Sequence, residues 1–95
     1  MKLILKEVVS DKAGEIDEIV TNGFLCLFSK IWDGQSANTY LVEIEFENPQ
    51  TTFASYLKNG IQMFEFMDLD EESMFYGNAL VFEIPLIDFN SYEVV

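Results

Sequence analysis

Tyr40-Leu41-Val42-Glu43-Ile44-Glu45-Phe46-Glu47 alternates apolar and acidic side chains along its length. A period of two belongs to an extended strand, so Val42, Ile44 and Phe46 share one face and Glu43, Glu45 and Glu47 the other. Along the second face the carboxylates repeat roughly every 6.6–6.8 Å, twice the strand rise. Like charges at that spacing need water, counter-ions or a basic partner beside them, while the apolar row needs a core. This strand therefore indicates a half-buried β-sheet and a negative outer surface.

Downstream, Asn48-Pro49 ends the strand with a favoured helix cap and a favoured first helical residue. The spacing of Phe53, Tyr56 and Leu57 then predicts a short helix over 49–58, stopped by Asn59-Gly60. Ile61 to Leu69 reads as a strand in which Phe64 and Phe66 share a face with Gln62 and Asp68. Asp70-Glu71-Glu72-Ser73 and Gly77-Asn78 read as turns. Ala79 to Ile87 is a further strand with Leu80, Phe82, Ile84 and Leu86 on its core face. Pro85 places that strand at an edge, because proline cannot donate to a ladder. The tail from Asp88 to Val95 adds a short edge strand.

Upstream, Leu3 to Val9 reads as a strand with one wet face. Ser10 to Asn22 has two readings. A helix would bury Ile16, Ile19 and Val20, but it would contain Gly14 at about 1 kcal/mol and the β-branched run Ile19-Val20-Thr21. The preferred reading is a turn at Ser10–Gly14 followed by a strand over 15–21. Asn22-Gly23 is then a two-residue type I′ hairpin, pairing Thr21 with Phe24, Val20 with Leu25 and Ile19 with Cys26. Phe24 to Phe28 is apolar on both faces, as in a strand at the middle of a fold, and continues to Trp32. The expected fold is mainly β (or α+β): a small antiparallel sheet or partly open OB-like barrel of about five to six strands, with one short helix near 49–58.

The chain has 95 residues, 49% hydrophobic and 15% aromatic, enough for one domain over 1–95 with a real core. Its formal net charge is −12, from seventeen acids against five lysines, with no arginine and no histidine. Without histidine the Ser-His and Cys-His nucleophile pairs and the commonest general acid/base are missing. One cysteine cannot furnish a zinc set. A nucleic-acid footprint is basic, and from Asn59 onward no basic residue occurs. Composition thus argues against an enzyme, a cofactor, a metal and direct nucleic-acid contact. Cys26 is alone, no run reaches membrane-spanning length, and the opening apolar run is too short for a signal-peptide core, so the expected compartment is the cytoplasm.

The candidate partner-binding residues are the ladder Glu43, Glu45 and Glu47, and the acidic cluster Asp68, Asp70, Glu71 and Glu72. Each set is also what an ordinary solvated strand face or loop would carry. Read as a calcium loop starting at Asp68, the cluster puts Ser73 at the required glycine and Ala79 at the required bidentate glutamate. Both fail. Met74, Phe75 and Tyr76 beside the acids suit an interface, where aromatics and methionine anchor and charges steer; they equally suit the core. Trp32 is expected in the core and Cys26 as a buried, inert thiol.

Two functions fit this surface. The first is a non-catalytic inhibitor or immunity-type module that covers a basic surface of a toxin, nuclease or other nucleic-acid-binding protein. In size and acidity alone, the chain is similar to bacteriocin immunity proteins and viral DNA-mimic inhibitors. The second is a structural or assembly subunit whose acidity serves solubility and whose aromatic patches are buried in an oligomer.

Overall fold

The computed structural model describes every residue except Phe24, Leu25, Gln35, Glu47 and Pro49. Its elements are β1 (Lys2–Val9), α1 (Ser10–Gly23), β2 (Leu27–Trp32), β3 (Thr39–Glu45), β4 (Thr51–Lys58), β5 (Ile61–Asp68), β6 (Ala79–Pro85), a 3-10 turn (Leu86–Asp88) and β7 (Ser91–Val94). They form two antiparallel sheets, ordered β2-β3-β1-β7 and β4-β5-β6, which do not close into a barrel.

The strand that carries the acidic ladder is β3. Val42, Ile44 and Phe46 are buried, as the alternation requires. On β1 strict alternation from Leu3 and Leu5 would turn Glu7 inward. A bulge between Leu5 and Val8 prevents this: Leu5 pairs with Val42 and Val8 with Tyr40, so β1 carries one extra residue. Glu7 takes φ +52° and Val8 goes into the core. A left-handed non-glycine residue costs about 1–2 kcal/mol, less than burying an unpaired carboxylate.

Segment 10–23 is a helix, not the preferred strand, and Asn22-Gly23 lies in its last turn instead of a hairpin. The reason is topological. β1 and β2 are both antiparallel to β3 and therefore parallel to each other, and a parallel pair needs a crossover, usually helical. Ala13, Ile16 and Val20 form the buried stripe of α1, while Ile19 is left exposed. The proposed pairings with Phe24 and Leu25 lie outside the described residues. β2 is an edge strand and not central, and most of its side chains are exposed.

Segment 51–58 is a strand instead of the expected helix. Asn59 and Gly60 have φ +52° and +77°, and Lys58 pairs with Ile61 across them. That is the type I′ hairpin chemistry of an Asn-Gly pair. A helix of this length is marginal by itself, whereas the hairpin sets Phe53 against Phe66 at 5.1 Å between ring centroids. Asn48 keeps its capping habit, its Oδ1 accepting the Gln50 N–H at 2.9 Å, but it caps a turn. Pro49, named as the first helical residue, lies outside the described residues.

The sheets face each other across one continuous core. Phe46 stacks on Phe66 at 4.6 Å and Tyr92 meets Phe64 edge-on at 4.9 Å, contacts worth about 0.5–1.5 kcal/mol each beyond burial. α1 packs on β1, β2, β3 and β6, so it touches an edge strand of each sheet. Ser55 Oγ and Tyr92 OH hydrogen-bond at 2.9 Å between β4 and β7. Leu80, Phe82 and Ile84 of β6 are buried, but Leu86, expected beside them, is in the 3-10 turn and 46% exposed. No helix among the described residues is long and apolar enough to cross a membrane.

Candidate functional site

The acidic ladder lies on the outer face of the four-stranded sheet. Glu43 is opposite Ile4 and Ser29, and Glu45 is opposite Lys2 and Leu27. Lys2 Nζ is 3.6 Å from Glu43, and Lys6 Nζ is 3.6 Å from Glu93. Exposed pairs of this kind contribute about 0–1 kcal/mol each, but they change the surface: this face interleaves both signs. Glu93, uncompensated along the sequence, gains its lysine because β7 pairs with β1. Glu47, the third member of the ladder, lies outside the described residues.

The second set of acids is differently organised. Asp68, at the end of β5, points inward as the alternation predicts and is only 3% exposed. Its Oδ1 accepts the Asn48 Nδ2–H and the Asp70 N–H, both at 2.9 Å. The Ser73 hydroxyl, the Asp70 backbone amide and the Asn48 amide, in that order, hold its carboxyl below the ordinary range against the opposing effect of desolvation. Asp68 is thus the post around which the loop is tied. Main-chain bonds flank it on both sides: Leu69 N–H donates to Gln50 O, and Gly77 N–H to Asp68 O. Asp70 Oδ1 accepts the Glu72 N–H and Ser73 Oγ the Phe75 N–H, two short-range turns that set the loop's path. Glu71 and Glu72 are left in water, with Asp70 half-buried. Met74 is 87% exposed and Tyr76 53%, so of the aromatic-methionine triplet only Phe75 turns partly inward.

The two acidic sets do not share a face. Glu43 and Glu45 lie on one sheet, and the loop rises from the end of the other. Asn48, which follows β3, joins them by donating to Asp68 and also to Asp70 Oδ2 at 3.4 Å. Among the described residues no three acids or cysteines converge as metal ligands do.

Trp32, expected in the core, is 60% exposed at the end of the edge strand, its indole N–H donating to Ser36 O. Cys26 packs against the core half-buried, and burial pushes its thiol up to about 12; the thiolate that reacts is scarce at neutral pH. The outer face of the three-stranded sheet was not singled out from sequence. It exposes Tyr56, Met67 and Val81 around Glu65, which accepts the Tyr56 hydroxyl at 3.1 Å, and a shallow groove of about 310 Å³ runs past Thr52, Ala54 and Ala79. The period-two row Ile61, Met63, Glu65, Met67 is its signal in the sequence, and it defines a sheet face only because 51–58 is a strand beside it. No protein-family model, curated protein or solved structure matches the chain.

Proposed function

We propose that this protein is a non-catalytic protein-binding module, an inhibitor or immunity-type protein that covers a basic surface of a nuclease or other nucleic-acid-binding partner. The observation that supports this reading is the loop built on Asp68. It holds Asp70, Glu71 and Glu72 beside the exposed Met74 and Tyr76 in one hydrogen-bonded arrangement. A loop already ordered before binding loses little conformational entropy on contact. Its carboxylates steer a basic partner, and its apolar side chains anchor what the charges have oriented. The ladder at Glu43 and Glu45 contributes less in this reading, because Lys2 sits beside it.

The test is affinity capture from the native host with elution in a rising salt gradient, followed by binding measurements on the purified pair. The expected partner is a basic protein whose affinity falls with ionic strength. The double reversal Glu71→Lys/Glu72→Lys is expected to weaken it by at least about tenfold, the scale of one 1.4 kcal/mol step. Glu43→Lys/Glu45→Lys is expected to weaken it less. An affinity indifferent both to salt and to the loop reversal would overturn the reading.

A further inference from the structure

The two sheets have four edges, and three of them are obstructed. β6 carries Glu83, ends at Pro85 and lies beside α1; β2 also lies beside α1 and carries Lys30; β7 is only four residues long and carries Glu93. These are the usual protections against edge-to-edge pairing. β4 has none of them. Thr51-Thr52-Phe53-Ala54-Ser55-Tyr56-Leu57-Lys58 contains no proline, no glycine and no charge before its last residue, in a chain with seventeen acids. Among the described residues only β5 pairs with it.

The hairpin at Asn59-Gly60 sets which groups that edge offers. Across a two-residue turn the flanking pair, Lys58 and Ile61, exchanges both hydrogen bonds, and the pattern then alternates. Tyr56, Ala54 and Thr52 therefore bond to β5, in keeping with the Leu69 N–H donating to Gln50 O further along. Phe53, Ser55 and Leu57 turn their N–H and C=O outward.

We infer that β4 is a self-pairing edge, and that two copies of this chain join β4 to β4 about a two-fold axis at Ser55 into one continuous six-stranded sheet. The register follows from the outward groups. Residues directly opposite in an antiparallel pair point to the same face, and the hydrogen-bonding residues must meet each other. Centring on Ser55 satisfies both conditions, setting Phe53 opposite Leu57 of the second copy and Ser55 opposite Ser55. The same register places Tyr56 beside Ala54 of the second copy, so it covers the two large apolar side chains that β4 leaves in water, Leu57 at 62% and Tyr56 at 45% exposure. It brings no two carboxylates on β4 together, because β4 has none. Lys58, its only charge, falls opposite Thr52, near Gln50 and the root of the other copy's acidic loop. The contact is self-complementary and charge-complementary, as an isologous interface must be.

The remaining charge of −12 on each copy repels the other, so salt must strengthen this pairing while it weakens a contact made through the acidic loop. The opposite signs keep this inference separate from the partner-binding proposal, and either can fail without the other. Sedimentation or light scattering of the full chain at about 100 μM, from about 0.02 to 0.3 M salt, is expected to show dimer increasing with ionic strength. Ser55→Pro removes an outward N–H and leaves the β5 ladder intact, but it also removes the Ser55–Tyr92 hydrogen bond between the sheets. Leu57→Glu puts a charge on an already exposed position, so its fold is secure even if Ser55→Pro does not fold. Leu57→Glu is expected to lower the association constant at least about tenfold, with an unchanged circular dichroism spectrum. A wild-type chain that stays monomeric across the range overturns the inference, and so does a dimer undiminished in folded Leu57→Glu.

Discussion

The chain contains two Asn-Gly dipeptides, 22–23 and 59–60, and the structure gives them opposite tasks; this makes a matched experiment. Gly60 has φ +77°, and a Cβ built on it meets nothing within 4 Å. In Gly60→Ala the penalty is therefore purely conformational, about 1–2 kcal/mol for an L-residue in the left-handed region. Gly23 ends α1, where φ is negative, and a Cβ there meets Leu80 Cδ1 at 3.2 Å, the tip of a flexible side chain. In Gly23→Ala, up to about 1 kcal/mol of helix propensity is set against about 0.5–1.5 kcal/mol for displacing that rotamer. The net change is expected to lie within about 0.5 kcal/mol of zero. At roughly 4–8 °C per kcal/mol for a domain of this size, Gly60→Ala should melt about 4–16 °C below the native chain, with Gly23→Ala close to it. Gly60→Asn should fall between them, since asparagine tolerates the left-handed region. The assay is thermal and urea unfolding followed by far-UV circular dichroism. If Gly23→Ala proved the more damaging of the two, the reasoning that puts the hairpin at 59–60 and the helix end at 22–23 would be refuted.

Three further outcomes are expected. Gly14→Ala, where an added Cβ meets nothing, should stabilise the helix by about 1 kcal/mol, read as a higher urea midpoint at unchanged slope. Phe66→Ala, 1% exposed, should cost about 3–5 kcal/mol, whereas Trp32→Ala, 60% exposed, should stay within about 1 kcal/mol; both are measured by equilibrium unfolding. The third concerns acid. The Asp68 carboxyl is held below its reference value of 3.8 in the fold, so its stabilising effect is fully present above that value and is lost as pH falls through the folded-state value. Hydrogen exchange at the Asp70 amide, which donates to Asp68 Oδ1, should therefore keep its protection down to about pH 4 and lose it below. Asp68→Asn should abolish that acid step, and protection that fell equally in both proteins would dissociate Asp68 from the loop's order.

Where alternation was regular, the fold was legible in the residues: Val42, Ile44 and Phe46 face the core, and Pro85 closes an edge strand. In 61–69 the alternation is imperfect, because Gln62 and Asp68 share the face of Phe64 and Phe66; both are buried there, so Asp68, expected among the partner-binding acids, is not on the surface. What was not legible lay between strands. An Asn-Gly pair serves a hairpin and a helix end equally well, since both can use left-handed backbone, so the dipeptide alone cannot assign either. The choice at 10–23 was made by the parallel relation of β1 and β2, which exists only once β3 lies between them. Glu7 kept an alternation that the bulge breaks. At the candidate site, sequence located the acids but not their division of labour. Asp68 is hidden and structural, while Glu71 and Glu72 face water, and only the partners of the Asp68 carboxylate distinguish them. Glu93 looked uncompensated because Lys6 is far from it along the chain.

The pairing of β1 with β7 also bears on how the protein reaches its native state. β4, β5 and β6 follow one another as a meander, so their contacts close short loops. β1 pairs on one side with β3, about thirty to forty positions away, and on the other with Ser91, Tyr92, Glu93 and Val94 near the end of the chain. Loop-closure entropy makes such distant pairings slow to form. The meander is therefore the expected nucleus, with the larger sheet zipping up last around its own central strand. In kinetic terms, Phe64→Leu should chiefly slow folding while Leu3→Ala chiefly hastens unfolding. A chevron analysis showing the reverse would mean that the terminal strands meet first.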